Sequence, residues 1–192
     1  MKRVLARAIF VLLLGAASAA AAGKECAGIT FPDQVQVQGE TLTLNGLGVG
    51  RASLFRVRVY VAALYLSEPS NDPQRILQPD VPSELVLQFM RPVSAKQLRR
   101  SWEAGFSKNA PGHPPGLEKG LAQLVSWATN IVPGERMTFV RVPGTGIQFK
   151  VDGTVKGMVK GDEFSKAFLS IWLGHVPQTP ELKSALLGGA CR

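Results

Sequence analysis

Residues 44–66, LNGLGVGRASLFRVRVYVAALYL, limit the possible folds more than any other part of the chain. Glycines at 46, 48 and 50 read as a glycine-rich turn that delivers Arg51 to the start of a strand. Beyond that turn, Phe55, Val57, Val59, Val61, Ala63 and Tyr65 fall on one side, and Arg56, Arg58, Tyr60, Ala62 and Leu64 on the other. Alternation with a period of two predicts a strand with one dry face and one that meets water or a polar site. An arginine and a tyrosine brought together on such a strand can hold an anionic group.

The rest of the chain supplies short strands first, at 29–31, 34–37 and 40–44, broken by Pro32 and Gly39. Asp72 caps a short helix that has Pro73 at its first position and Ile76 and Leu77 facing inward. A strand over 84–90 ends at Pro92, and Ser94 with Gln97 forms a capping box that opens the next helix. Leu98, Trp102 and Phe106 recur every fourth residue on that helix and give it one apolar stripe. After the rigid break NAPGHPPG at 109–116, Leu117, Leu121, Leu124, Ala128 and Ile131 continue a helical period. Three strands follow at 136–142, 147–151 and 154–159, the last two joined by Asp152-Gly153, a strong hairpin signal. A helix over 163–173 buries Phe164, Ala167, Phe168, Ile171 and Trp172, and Thr179 caps a last helix that starts at Pro180 and stops at Gly188. Six or more mostly antiparallel strands, with helices grouped rather than alternating with them, predict an α+β fold.

The first residues read as a signal peptide. Lys2, Arg3 and Arg7 form a basic start, residues 8–14 a short apolar core, and residues 16–22 a run of small residues suited to cleavage near Ala22 or Gly23. The expected organisation is a signal peptide at 1–22 and one domain at 23–192, exported to the periplasm of a bacterium, without stable membrane insertion. Without those three basic residues, 19 basic residues face 14 acidic ones and the formal charge falls from +8 to +5. The positive charge is scattered, and its densest spot, Lys96, Arg99 and Arg100, reads as a solvated helix face, so no nucleic-acid partner is expected. Cys26 and Cys191, the only cysteines, stand at the two ends of the expected domain. In an oxidising compartment they pair as a disulfide, and two free thiols at frayed ends are the alternative. Neither has histidine neighbours at metal-ligand spacing, and no metal is expected. No cofactor is expected either: Gly46, Gly48 and Gly50 are followed by a strand rather than a helix, which does not make a phosphate cradle. His113 and His175 sit in proline-containing loops and read as surface residues, and no G-x-S-x-G elbow occurs. The oligomeric state is not fixed by the sequence.

The segment 44–66 resembles the signature strand of the chalcone isomerase-like family, with its glycine turn, basic residue and VY-x-x-x-LYL strand. LVLQFMRPVSAKQLRRSWEAGF at 85–106 resembles the strand and helix that follow it, and GDEFSKAFLSIWLGHVPQTPELKSALLG at 161–188 resembles the family's C-terminal helices. The resemblance implies an open-faced β-sandwich in which helices cover one face of a large, mostly antiparallel sheet and a cleft lies between them. In chalcone isomerases the arginine after the glycine turn positions an oxyanion nucleophile. A strand threonine, a helix tyrosine and asparagine, and a C-terminal hydroxyl residue assist it. Here the arginine position falls on Arg51, shifted by one, or on Gly50. The threonine is matched by Tyr60, the tyrosine by Leu98, the asparagine by about Gly105, and the last hydroxyl lies near Leu182. An arginine with a tyrosine instead resembles the family's fatty-acid-binding branch, in which those side chains hold a carboxylate at the end of an apolar tunnel. The expected ligand is therefore a small amphipathic or hydrophobic carboxylate held by Arg51 and Tyr60. Leu98, Trp102 and Phe106, together with Trp127 and Trp172, are candidates for the apolar lining. The alternatives from other classes are an isomerase acting on a small unsaturated or phenolic substrate, and a structural or partner-binding periplasmic protein with no ligand.

Overall fold

The computed structural model describes residues 23–52, 56–110, 112 and 115–192. The expected signal peptide at 1–22, Phe55 and His113 lie outside the described residues. Strands β1 (Gly23–Cys26) and β2 (Ile29–Pro32) form a small hairpin of their own. Seven further strands make one sheet in chain order, each antiparallel to the next. They are β3 (Gln34–Val37), β4 (Glu40–Ala52), β5 (Val57–Leu66), β6 (Ser83–Phe89), β7 (Arg136–Val142), β8 (Gly146–Val151) and β9 (Thr154–Lys160). The β8–β9 hairpin turns through Asp152 and Gly153 at φ of 45° and 75°, the doubly left-handed geometry that an Asp-Gly pair accommodates.

Five helices complete the fold: α1 (Pro73–Ile76), α2 (Ala95–Asn109), α3 (Pro115–Ser126), α4 (Asp162–Leu173) and α5 (Pro180–Leu186). Asp72, Ser94 and Thr179 cap α1, α2 and α5 with their side chains, and Ser94 and Gln97 close a full capping box. The helices pack on one face of the sheet. There Leu98, Trp102 and Phe106 of α2 and Phe164, Phe168 and Trp172 of α4 join Tyr60, Ala62, Leu64 and Leu66 of β5 in one buried cluster. Val61, Ala63 and Tyr65 point the other way, against Cys26 and Phe31 of the β1–β2 hairpin. The alternation of β5 is thus real, but from Tyr60 onward both faces are dry and only the arginine-bearing start meets water. The small hairpin covers a face that alternation alone leaves open.

The glycine-rich turn expected at 45–50 is not a turn. Gly46, Gly48 and Gly50 lie inside β4, a strand of 13 residues. Their spacing of two places all three on one face, and two of them are bare because α5 rests there. A methyl group on Gly46 would lie 2.2 Å from the Ala185 carbonyl oxygen, and one on Gly48 would lie 2.7 Å from a Leu182 methyl. The helical period expected to reach Ile131 also stops early. The last turn of α3 ends at Ser126, and Ile131 instead exchanges two backbone hydrogen bonds with Val93, of 2.8 and 2.9 Å. Ile131 is buried in either arrangement, so apolar spacing could not distinguish them.

Two further ties set the ends of the chain. Cys26 and Cys191, 165 residues apart, form the expected disulfide with a Cα separation of 5.8 Å. β3 pairs only with the Glu40–Thr43 stretch of β4, and beyond it the Val49 N–H donates to the Arg192 carbonyl at 3.2 Å. The tail therefore lies along part of the β4 edge that β3 leaves open. On the helix side, Arg141 is only 1% exposed and its guanidinium donates to the Ile76 carbonyl at the C-terminal end of α1. Helix ends carry carbonyls without intrahelical partners, and the arginine satisfies one of them; burial lowers its pKa to about 10.

Replacing Cys191 by Ser is expected to lower stability in urea denaturation by about 4–5 kcal/mol if the chain-entropy account of long-loop crosslinks holds. Gly46→Ala should lift α5 and cost about 1–3 kcal/mol, as overpacking does. Gly116→Ala, where an added methyl meets nothing within 4 Å, is the control and should not destabilise.

Candidate functional site

Between the sheet and helices α2 and α4 lies a cavity of about 430 Å³. Its inner wall is apolar: Leu87, Phe89, Leu98, Trp102 and Trp172 are all buried. Its outer part carries Arg51, Arg91, Gln97, Ser101 and Gln178, with Tyr60 between the two regions.

The backbone of β4 and β5 explains how Tyr60 and Arg51 come to share this space. Tyr60 pairs with Gly50 on one side and Phe89 on the other. The third glycine is bare because the Tyr60 ring crosses it: a Cβ on Gly50 would lie 2.2 Å from the ring. Immediately beyond, the register shifts, so that Arg51 pairs with Arg58 and Val59 is the extra residue. The bulge therefore sits on β5 at Val59, opposite the Gly50–Arg51 step of β4. Bulges re-aim side chains. Here Arg51, Val57, Val59 and Tyr60 all line one cavity, although strict alternation would divide them between two faces.

The Tyr60 hydroxyl makes two side-chain hydrogen bonds. It accepts a hydrogen bond from Trp172 Nε1 at 3.0 Å and donates to the side-chain oxygen of Gln178. Burial pushes its phenol far above the ordinary range, against the smaller lowering effect of the Trp172 and Gln178 hydrogen bonds, so it is a neutral donor at physiological pH. Gln178 lies in the loop between α4 and α5, held by its backbone N–H to the Ile171 carbonyl at 2.9 Å, with its side chain at the surface. Gln97 accepts from both the N–H and the hydroxyl of Ser94 at 2.9 Å, which leaves its NH₂ group as a donor at the cavity. Arg56 bonds Glu181 at 2.8 Å and ties the β4–β5 end to α5.

Of the expected lining residues, Leu98, Trp102 and Trp172 border the cavity with Arg51 and Tyr60. Phe106 does not: one helical turn beyond Trp102, it packs on Phe164 with ring centroids 5.6 Å apart, deep in the core. Trp127 does not either, because its ring covers Gly157 on β9. Four further groups, Arg91, Gln97, Ser101 and Gln178, line the cavity beyond those the sequence marks. Gln97 and Ser101 precede Leu98 and Trp102 by one residue each, so the stripe of α2 held a cue to them. Gln178 offered none, since it reaches Tyr60 across 118 residues of chain.

The positions that correspond to isomerase groups are occupied structurally. Gly105 lets α2 approach α4, where a Cβ would lie 2.7 Å from Ile171, and Leu182 is buried against Gly48. His175 is exposed and away from the cavity lining. Among the described residues the lining offers guanidinium, amide, indole and hydroxyl groups and no carboxylate, imidazole or thiol. Such a set can bind an anion, but it has no group poised to carry a proton near neutral pH.

No curated protein sequence matches this chain. Among solved structures, the crystal structure of a fatty-acid binding protein from Arabidopsis thaliana shares the fold. Its TM-score is 0.68 at 16% sequence identity, over 84% of this chain and 92% of that one. Residues 23–188 match the family described as chalcone isomerase-like. The chain belongs to the chalcone isomerase-like family.

Proposed function

We propose that this chain is an exported, non-catalytic binding protein for an amphipathic carboxylate such as a fatty acid. The carboxylate sits against Arg51 and the Tyr60 hydroxyl, and the tail runs along Leu98, Trp102 and Trp172. The observation that carries the reading is the division of a single cavity into an apolar wall and a mouth whose charged groups are all cationic. The Arabidopsis protein of the same fold is described as a fatty-acid binding protein, which agrees with it.

Tyr60 has one proton to give, and Gln178 now receives it. A carboxylate oxygen is a stronger acceptor than an amide oxygen, so the ligand takes the place of Gln178, whose side chain swings outward. Charge-assisted hydrogen bonds of this kind contribute about 1.5–3 kcal/mol each when sheltered from water. Binding rather than turnover is favoured because the lining supplies donors and no base.

Mass spectrometry of gently purified protein should reveal a co-purified fatty acid, and added dodecanoate should raise the melting temperature. Tyr60→Phe and Arg51→Ala should each weaken dodecanoate binding by about 10- to 100-fold, in line with the loss of one charge-assisted bond. Gln178→Glu places a carboxylate where the ligand's belongs, so it should abolish binding at pH 7.5. Undiminished binding by that variant would count against the Tyr60 grip.

The phenols give a second test. Tyr60 and Tyr65 are the only tyrosines, and burial raises both pKa values. Stability from keeping them neutral is fully present below the unfolded value of about 10 and is lost progressively as pH rises from there toward the raised values of the folded state. Phenolate absorbance should therefore appear together with unfolding above about pH 10 and not before it.

A further inference from the structure

Two guanidinium groups line the one cavity, and they come from opposite sides of β5. Arg51 lies on β4, and Arg91 follows β6 by two residues, on the side of the sheet that Phe89 shares. Adjacent strands lie about 4.8 Å apart, so these backbones flank β5 at about 10 Å and both side chains can converge over it. Among the described residues neither arginine has an ion-pair partner, and no carboxylate lines the cavity. Glu181, an acid whose carboxyl feels Arg51, is bound to Arg56, and it is held below the ordinary range by a backbone hydrogen bond, by Arg56 and, more weakly, by Arg51. One carboxylate satisfies one guanidinium with a bidentate pair and leaves the other facing a like charge.

We infer that the cavity is built for a single-chain amphiphile whose head carries two negative charges on one centre, a phosphate monoester. Arg91 is then a second headgroup contact that selects it over a monocarboxylate. The inference rests on the reading of this cavity as the site of an anionic amphiphile. A phosphate monoester presents three strong acceptor oxygens and approaches a double charge above its second pKa of about 6. Arg51 and Arg91 take it from two sides, and the amide of Gln97 and the hydroxyl of Ser101, both at the same mouth, supply neutral donors for the remaining lone pairs.

The test compares dodecyl phosphate, dodecanoate and dodecyltrimethylammonium on the full protein by titration calorimetry, below their micellar concentrations. Measurements are made at pH 8 and pH 5.5, with wild type, Arg91→Gln and Arg91→Lys. Dodecyl phosphate should bind the wild type about tenfold tighter than dodecanoate at pH 8, which is about 1.4 kcal/mol. The preference should vanish in Arg91→Gln, survive in Arg91→Lys, and shrink at pH 5.5 as the ester loses one charge. The charged and phenolic groups that line the mouth are Arg51, Arg91 and Tyr60, with no carboxylate or imidazole among the described residues, so the pH change reads the second ionisation of the ester. Equal binding of the two anions, with Arg91→Gln matching wild type, would overturn the headgroup assignment and leave the carboxylate reading standing. Binding of neither anion, or equal binding of the cationic amphiphile, would overturn both.

Discussion

Three α-carbons without side chains, at Gly46, Gly48 and Gly50, set the arrangement on the helix side of the sheet. The first two let the backbone and the Leu182–Ala185 face of α5 lie directly on β4, and the third gives the Tyr60 ring its place. A strand interior made of alternating glycines is entropically expensive, about 0.5–1 kcal/mol for each relative to alanine. Burial of Leu182, Ala185 and Leu186 offsets that cost. Because α5 is seated so closely, the loop that precedes it brings Gln178 within reach of Tyr60. The polar end of the cavity is thus a product of missing side chains several residues away.

The inner wall depends on a different interaction. Trp102 meets Phe139, Phe149 and Phe168 edge to face, and Phe168 in turn meets Trp172. Edge-to-face contacts favour fixed ring orientations beyond simple burial. The Trp172 indole, held in that cluster, has its N–H aimed at Tyr60, and Tyr60 passes its own proton on to Gln178. A rigid aromatic core therefore orients a hydrogen-bonded chain that runs from the interior to the surface. The resemblance to chalcone isomerases implies polar residues at two positions of α2. Here Leu98 and Gly105 serve contact and close packing.

The fold was legible wherever one residue type has one physical reason to be present. Asp72, Ser94 and Thr179 cap the helices the sequence assigns to them, and Asp152-Gly153 makes its hairpin. The pattern is ambiguous where two structures satisfy it equally. Glycine at every second position can be a turn or a strand that carries a helix, and only the partner, α5, decides between them. Apolar spacing through Ile131 suits a helix or a bridge to Val93 equally well. On the site, Arg51 and Tyr60 were legible as neighbours in sequence, although the bulge that lets both line the cavity falls on the opposite strand. Phe106 lies on the same stripe as Leu98 and Trp102, but one turn beyond Trp102 that stripe has passed from the cavity into the core against Phe164. Arg91 and Gln178 owe their place to tertiary proximity and carry no local mark.

The disulfide also has a bearing on how copies of this chain meet one another. β4 is far longer than β3, and the backbone donor of Val49 on its uncovered margin is occupied by the carbonyl of Arg192, the neighbour of the disulfide-bonded Cys191. Unpaired strand margins are templates for pairing with another chain. A molecule that has not yet oxidised would present that margin to its neighbours beside a patch of buried-type residues, Leu47 and Val49. The sulfur–sulfur bond therefore does more than close a loop: it anchors the residue whose carbonyl occupies a backbone donor on the margin that β3 leaves open.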